Sequence, residues 1–385
     1  MDVERNLLGM ADEPALERVR ESDRLTKIRL NLPDAEDISR LWLFHYDMRL
    51  RSATVTMGGI GGVGTNEEHR KRGYAARLMS DSVAYMAEHD LDIGMLFGIQ
   101  NFYERWGYIT AMATHEMSVD AANLPTNGAV AEVVEYRAES HRDAVLSMYA
   151  SANTARTCAV VRGPHYWTEF EKGTDWSDPA DGKVFVGPDG APAAYVNMAG
   201  DPERTCVSES AFADPAFAPV VASYLARRAA NASHDKVTLL SPPDAPLAMY
   251  LLRFGCVHRQ STARSGGGML RIIDLPSLIG KLTGYIGDRA TTGRLRGWEG
   301  SIALRTDIGS VTLRVRDGVA TSEEGSTGDL VAEMPQDRLL QLLVGYCDAD
   351  TIALDDDVTM SDAAVEVLAA MFPPDTPYMW WSDRF

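Results

Sequence analysis

Val55-Thr-Met-Gly-Gly-Ile-Gly-Gly-Val-Gly-Thr65 runs through the charged turn Asn66-Glu-Glu-His-Arg-Lys71 into Arg72-Gly-Tyr-Ala-Ala-Arg-Leu-Met79. The stretch closes on Asp92-Ile-Gly-Met-Leu-Phe-Gly-Ile99 and Gln100-Asn-Phe-Tyr-Glu-Arg-Trp-Gly-Tyr108. Val55–Thr65 alternates loosely between apolar and small residues and is heavy in glycine, which predicts a strand. Ala75, Leu78, Met79, Ser82, Val83 and Met86 then recur at helical spacing on one face. The apolar run Ile93–Ile99 reads as a buried strand parallel to the first. The whole is a β-α-β unit with a charged, glycine-containing turn at the start of its helix.

That turn has a physical use. Arg70, Lys71 and Arg72 precede Gly73, and Ala75 follows, so small residues stand where a ligand must approach closely. Unpaired backbone N–H groups at a helix N-terminus, helped by cationic side chains, hold a phosphate or pyrophosphate. The pattern Arg70-x-x-Gly73-x-Ala75 after a strand resembles the acetyl-CoA pyrophosphate loop of the GNAT superfamily of N-acetyltransferases. Tyr103-x-x-x-Gly107-Tyr108 resembles the segment in which that superfamily carries its catalytic tyrosine. Gly59-Ile60-Gly61-Gly62-Val63-Gly64 also satisfies the dinucleotide fingerprint G-x-G-x-x-G. A dinucleotide site needs those glycines to form the turn and open the helix, and here a second, charged turn intervenes. The glycines read instead as a splayed strand that a ligand approaches closely.

A chain of 385 residues is long enough for two or three domains. At 45% hydrophobic residues it can bury full cores, and no apolar run approaches the ~20 residues of a membrane-spanning helix. The acidic start, Met1 to Glu13, lacks the apolar core of a signal peptide, so a cytoplasmic location is expected. Cys158, Cys206, Cys256 and Cys347 lie far apart, and no close histidine pair stands in the sequence, so neither disulfides nor a metal site are expected. The net charge of −18, from 37 basic and 55 acidic residues, disfavours nucleic acid as a partner. It favours cationic substrates such as polyamines, aminoglycosides or lysine side chains, although charge spread along the chain also fits an ordinary acidic surface.

Around the central stretch the chain reads in order. A short helix is expected around Pro14–Arg24, a turn at Leu32-Pro33-Asp34, and a long aromatic-rich strand over Ile38–Leu50. After Tyr108, Ala113–Asp120 reads as a strand closing a first domain (1–125), and Ala121–Gly128 as a linker. A second domain (126–266) contains a strand at Ala129–Tyr136, a helix at Ser140–Ala155 and a hairpin about Gly187-Pro188-Asp189-Gly190. It continues with a helix at Phe217–Asn231 and a strand at Lys236–Leu240, and Tyr250 before Gly255 loosely echoes Tyr103 before Gly107. It looks like a second copy of the same fold without the Arg-x-x-Gly-x-Ala loop. Ser265-Gly-Gly-Gly268 marks a boundary, and the third domain (267–385) opens with the strand Met269–Asp274 and the helix Leu275–Tyr285. Strands at Gly300–Thr306, Gly309–Arg316 and Val319–Thr321 and helices at Pro335–Gly345 and Ser361–Met371 follow, a layout resembling the sterol-carrier-protein fold. The aromatic tail Pro377-Tyr-Met-Trp-Trp-Ser-Asp-Arg-Phe385 is expected to be docked rather than solvated.

A GNAT domain, a degenerate GNAT-like domain and a sterol-carrier-like domain, in that order, resemble the enhanced-intracellular-survival (Eis) family of N-acetyltransferases. The expected fold class is therefore α/β and α+β. The resemblance implies acetyl transfer from acetyl-CoA to the primary amine of a small cationic substrate by direct attack in a ternary complex, without a metal. It also implies a homo-oligomer, a hexamer, while the charge and the absence of a spanning apolar run lead to the expectation of no nucleic acid and no membrane partner. Carried over residue by residue, the backbones of Val63 and Thr65 pair with pantetheine, and Arg70, Lys71, Gly73 and Ala75 hold the pyrophosphate. Tyr103 is then the general acid that protonates the departing thiolate, and the α-carboxylate of Phe385 the base. An ammonium must lose a proton before it attacks, and an α-carboxyl near ~3.5 serves as base only where burial raises it. Tyr378, Trp380 and Trp381 offer such surroundings, and Asp383 is an alternative partner for the substrate cation. The strand and two helices that precede this point in a GNAT domain have little length here, and are expected to be shortened or to lie upstream. With the acceptor site lost in that way, the chain would bind acetyl-CoA without turnover, as a sensor. A third reading, a lipid carrier, needs an open apolar tunnel beside the tail.

Overall fold

The computed structural model describes residues 13–127, 131–163 and 167–385. The acidic start, Met1 to Asp12, and Gly128 and Ala129, where the linker was expected to end and a strand to begin, lie outside the described residues. The chain forms two compact units. One comprises the chain up to Ala111, Arg264–Asp375 and Phe385; the other comprises Met112–Ala263 and Thr376–Arg384.

The first unit begins with β1 (Ala15–Ser22), β2 (Leu25–Leu32), β3 (Ala35–Leu50) and β4 (Ala53–Thr65), paired antiparallel in that order. The helix expected at Pro14–Arg24 is strand β1. Its polar side chains found partners there, as Arg18 reaches Asp81 at 2.7 Å and Glu88 at 2.6 Å, and pairing with β2 overrode local propensity. Helix α1 (Tyr74–Glu88) follows, then β5 (Ile93–Gly98) and β6 (Ile109–Met112). Leu78, Met79, Ser82, Tyr85 and Met86 of α1 are buried against the sheet, so the helical spacing was read on the correct face. β5 is parallel to β4, as expected.

The second unit carries β7 (Thr114–Asp120), β8 (Glu132–Glu135), α2 (Ala138–Ala152), β9 (Ala180–Val186), β10 (Pro192–Ala199) and β11 (Thr205–Phe212). It continues with α3 (Ala218–Asn231), β12 (Lys236–Leu239), α4 (Pro246–Leu251) and β13 (Cys256–Ser261). Its sheet runs β13-β7-β12-β11-β10-β9-β8. The strand expected to close the first domain, β7, is paired between β13 and β12 in the second sheet. Met117 and Val119 of β7 and Val237 and Leu239 of β12 share its core with Leu225 of α3 and Leu247 of α4.

The chain then returns to the first unit with β14 (Gly267–Ile272), α5 (Leu275–Thr291), β15 (Gly300–Thr306), β16 (Gly309–Arg316), β17 (Val319–Glu324) and β18 (Leu330–Glu333). Last come α6 (Gln336–Val344), α7 (Ala349–Ile352), β19 (Thr359–Met360) and α8 (Asp362–Met371). β14, expected to open a separate domain, pairs antiparallel with β5 from Gly267↔Gly98 to Ile272↔Ile93. The first sheet is therefore β1-β2-β3-β4-β5-β14-β6, and β17-β16-β15-β18-β19 form a smaller one. Side chains tie the two within this unit. Gln336 of α6 donates to Gly107 O and accepts from Ile272 N, and Gln341 donates to Thr110 O at 2.8 Å. The fully buried Asp92 takes Lys281 at 2.5 Å and Ser277 at 2.6 Å from α5.

Candidate active site

The site is built where β4 and β5 part. Their parallel pairing runs from Met57↔Ile93 to Ile60↔Leu96 and goes no further. β5 continues as Phe97 and Gly98 against β14, while β4 continues against β3 to Ser39↔Thr65. In β4 the register shifts between Arg40↔Gly64 and Trp42↔Gly61, and Gly62 takes φ +58°. This bulge re-aims the strand beyond the parting. A side chain at Gly62 would drive its Cβ to 2.5 Å from Trp42 Cδ1. Gly59 to Gly64 lie within one continuous strand, so the dinucleotide reading of G-x-G-x-x-G fails, because those glycines open no helix.

Val63 and Thr65 stand on the bulged end of β4, and Thr65 Oγ1 is 2.8 Å from Ser39 Oγ. Arg70, Lys71 and Arg72 are exposed in the turn that follows. Arg70 Nε donates to Thr65 O at 3.3 Å, which folds the turn back on the strand. Lys71 at φ +63° and Gly73 at φ +82° carry the chain into α1. Gly73, the N-cap of α1, makes no side-chain cap bond, and no acidic residue stands in the first turn. Space lies open where a Gly73 side chain would be. Amides at a helix start with neither a cap nor an acid, beside three cations, suit an anion. The residues present therefore fit the pyrophosphate end of a coenzyme A thioester.

Tyr103 heads the short turn Glu104–Trp106 after β5, and Gly107 at φ +73° ends it. Its ring covers the backbone of Gly98, where an added Cβ would stand 2.6 Å from Tyr103 Cδ2. Burial raises the Tyr103 pKa above its ordinary value and keeps the hydroxyl protonated.

Phe385 lies on the same sheet. Its ring stacks on Phe44 at 5.4 Å and Tyr46 at 5.7 Å and meets Phe97 edge-on at 5.9 Å. Gly59 and Gly61 clear the ground beneath it. An added Cβ at Gly59 would stand 2.4 Å from Phe385 Cζ, and one at Gly61 would stand 2.9 Å from the terminal carboxyl carbon. The structure thus brings the C-terminal carboxyl to Gly61, just past the last β4–β5 pair. The glycines were read as room for a ligand, and two of them make room for the chain's own last residue. Phe44, Tyr46 and Phe97 were missed as a seat. The i, i+2 spacing of Phe44 and Tyr46 puts both on one face of β3, but nothing local says what covers that face.

The second unit repeats the parting with another occupant. β11 and β12 pair in parallel from Thr205↔Val237 to Val207↔Leu239 and then separate. Tail residues sit there: Tyr378 Oη donates to Leu240 O at 2.7 Å, and Asn197 of β10 donates to Ser382 Oγ at 3.3 Å. Tyr378 and Trp380 are buried in that unit's core, as expected of a docked tail. Asp383 is buried and accepts from Arg162 Nε at 2.8 Å and Tyr149 Oη at 2.8 Å. This overturns its reading as a partner for the substrate cation, since its charge is spent on Arg162. Folding also pairs two histidines that are distant in sequence: His115 Nδ1 and His258 Nε2 stand 3.3 Å apart on β7 and β13. Among the described residues no group of three or more metal-ligating side chains gathers, and no helix is long and apolar enough to cross a membrane.

Comparison with known proteins bears on the fold. Residues 12–111 match the acetyltransferase (GNAT) domain family, and residues 304–380 match the sterol carrier protein domain family. No curated protein sequence matched the chain. A probable N-acyltransferase of Enterococcus faecalis is similar in structure at 15% identity and TM-score 0.74, over 94% of this chain and 89% of that one. A GCN5-related N-acetyltransferase of Anabaena variabilis is similar at 18% identity and TM-score 0.72, over 93% and 89%. Eis1 of Mycobacterium abscessus is similar at 15% identity and TM-score 0.60, over 95% and 92%. The fold is accordingly a mixed α/β and α+β one, with an N-terminal GNAT domain, a GNAT-like neighbour and a C-terminal sterol-carrier-like part. With its acetyltransferase domain, the chain is an enzyme of the acyltransferase class.

Proposed function

We propose that the protein is an Eis-like N-acetyltransferase that moves the acetyl group of acetyl-CoA to a primary amine of a small cationic substrate. The observation that carries the proposal is the Phe385 carboxyl beside Gly61, at the point where β4 and β5 separate. Acetyl-CoA supplies an activated acyl thioester there. Arg70, Lys71 and the amides following Gly73, with Ala75 in the first turn, hold its pyrophosphate, while Val63 and Thr65 offer their backbone to pantetheine. The Phe385 carboxylate takes a proton from the acceptor ammonium so that the amine can attack. Tyr103, protonated and pushed upward by burial, gives its proton to the leaving sulfur. Holding the reacting groups in near-attack geometry supplies much of the rate. The aromatic walls Phe44, Tyr46 and Phe97 hold the Phe385 ring in place. The net charge of −18 draws cationic amines toward the protein.

The same reading divides the chain into a GNAT domain (1–125), a degenerate GNAT-like domain (126–266) and a sterol-carrier-like domain (267–385). It places the protein in the cytoplasm as a homo-oligomer, a hexamer by family likeness. Thiol release from acetyl-CoA over aminoglycosides, polyamines and lysine peptides tests the function, with wild type set against Tyr103→Phe and a chain lacking Phe385. Turnover on a cationic amine that falls in both variants supports both roles. Acetyl-CoA binding without turnover on any amine replaces the enzyme with a cofactor sensor.

A further inference from the structure

A turn as short as Glu104–Trp106, which Tyr103 heads, holds itself weakly. Trp106 N donates to Tyr103 O at 3.1 Å and Gly107 N to Glu104 O at 2.8 Å. Asn101 at φ +57° and Gly107 at φ +73° bend the chain on either side. Further bonds reach it from β14, from α6 and from the residues leading into β14. Asn101 N donates to the buried Ser265 Oγ at 2.7 Å, and Thr110 Oγ1 to Gly266 O at 2.9 Å. Arg271 Nη1 donates to Trp106 O, and Gln336 Nε2 to Gly107 O. All of these residues belong to the first unit.

β14 lies between β5 and β6 in the sheet. The link 99–108 therefore crosses one strand, a span of two strand spacings, about 9.5 Å. Gln336 is 3% exposed and uses both ends of its amide: while Nε2 holds Gly107 O, Oε1 accepts from Ile272 N of β14 at 2.9 Å. Asp307 Oδ1 in turn accepts from Gln336 N at 2.7 Å, which anchors the start of α6. Gly107 leaves the room this needs, since an added Cβ would stand 2.7 Å from Gln336 Nε2. Arg271, half-buried, makes a charge-assisted bond to a main-chain carbonyl. Burying an amide or a guanidinium is costly unless its polar atoms are bonded. What the two supply here is direction: they fix the consecutive carbonyls Trp106 O and Gly107 O, which close the turn.

We infer that Arg271 and Gln336 are positioning residues for acetyl transfer: by holding the end of the turn they fix where the Tyr103 hydroxyl stands. A reacting group must be held to within a fraction of an ångström by the bonds behind it, and here those bonds come from β14 and α6, well over a hundred residues further along the chain. The inference rests on the reading of Tyr103 as acid.

The test uses the full chain with Gln336→Met and Arg271→Lys, each made in wild type and in Tyr103→Phe. Thiol release with an amine that wild type turns over gives kcat and KM for acetyl-CoA, and circular dichroism shows which variants are folded. Gln336→Met keeps the length of the side chain and removes both of its bonds. Arg271→Lys keeps the charge and loses the planar reach of the guanidinium; it carries the test should Gln336→Met fail to fold. Each is expected to lower kcat by about tenfold to about 100-fold through misplacement of the acid. KM for acetyl-CoA stays within about twofold, since the cofactor residues are untouched. In the Tyr103→Phe background neither change lowers kcat by more than about twofold, because a misplaced ring without its hydroxyl has no proton to give. Wild-type kcat in a folded variant overturns the inference. So does an equal loss in the two backgrounds, the mark of a merely structural role. Tyr103→Phe that turns over like wild type removes the reading of Tyr103 as acid. A slow Tyr103→Phe beside full-rate Gln336→Met and Arg271→Lys overturns this inference alone, which separates the two failures.

Discussion

Gly59→Ala gives the sharpest test of the seat under Phe385. Gly59 is buried in β4 with ordinary strand backbone, so alanine meets no conformational penalty there. Its Cβ would lie 2.4, 2.6 and 2.7 Å from Cζ, Cε1 and Cε2 of Phe385. Carbon atoms rest about 3.5–4.0 Å apart, so the ring must withdraw by more than about 1 Å. Withdrawal loosens the contacts with Phe44, Tyr46 and Phe97, each worth about 0.5–1.5 kcal/mol beyond burial. Overpacking of this kind costs about 1–3 kcal/mol. At about 1.4 kcal/mol per factor of ten, occupancy of the seat drops between about fivefold and about 150-fold. The expected result is a kcat lowered by that factor, with little change in KM for acetyl-CoA or in melting temperature, because only the last residue must move. Thiol release on a cationic amine measures it, in wild type, in Gly59→Ala, and in each background without Phe385. If the steric argument is right, alanine costs nothing once Phe385 is gone. A full-rate Gly59→Ala enzyme, or the same loss in both backgrounds, would refute it.

Tyr103→Phe is expected to lower kcat by about 10²–10⁴, the usual worth of a positioned acid. Because burial raises the Tyr103 pKa, wild type should hold its rate to above about pH 10, and a pH–rate profile that turns down earlier would contradict the assignment. Arg70→Ala and Lys71→Ala should each raise KM for acetyl-CoA severalfold, with a salt dependence weaker than that of wild type, since each removes a phosphate-facing charge; an unchanged KM would place the pyrophosphate elsewhere. Gly73→Ala sets a side chain at φ +82°, which costs about 1–2 kcal/mol, and should weaken acetyl-CoA binding through the start of α1, read by calorimetric titration. Burial first, then the neighbouring His258, holds His115 down at about 4. A lowered histidine pKa means the neutral form is the folded one, so its contribution is complete above about 6.5 and lost as pH falls toward 4. The urea midpoint should therefore decline over that window, and less so in His115→Gln.

Some of this structure could be read from residues in order. Strand, cationic turn, helix and strand from Val55 to Ile99 are local: the glycine-rich run, the cap-less turn and the helical spacing each speak within a few residues. The same holds for Gly300–Thr306 and Gly309–Arg316, whose strand limits match the expectation residue for residue, and for the helices about Phe217–Asn231 and Ser361–Met371. There the turn chemistry and periodicity agree with the tertiary environment. Where they disagree, as in the charge-rich β1, pairing with a distant strand decided.

What tertiary structure alone decided is who stands beside whom. Nothing around Gly267 says that β14 pairs with β5, 169 residues away in the first register pair, Gly267↔Gly98. Nothing around Asp383 says that its partner is Arg162, 221 positions earlier. The tail's aromatic content announced that it would be buried, because solvating it is unfavourable. Where its last residue is buried depended on a parting between two strands, a bulge at Gly62 and two glycines without side chains. Hydrophobic pattern reports burial along a chain, while the site is a matter of long-range register, which pattern does not carry.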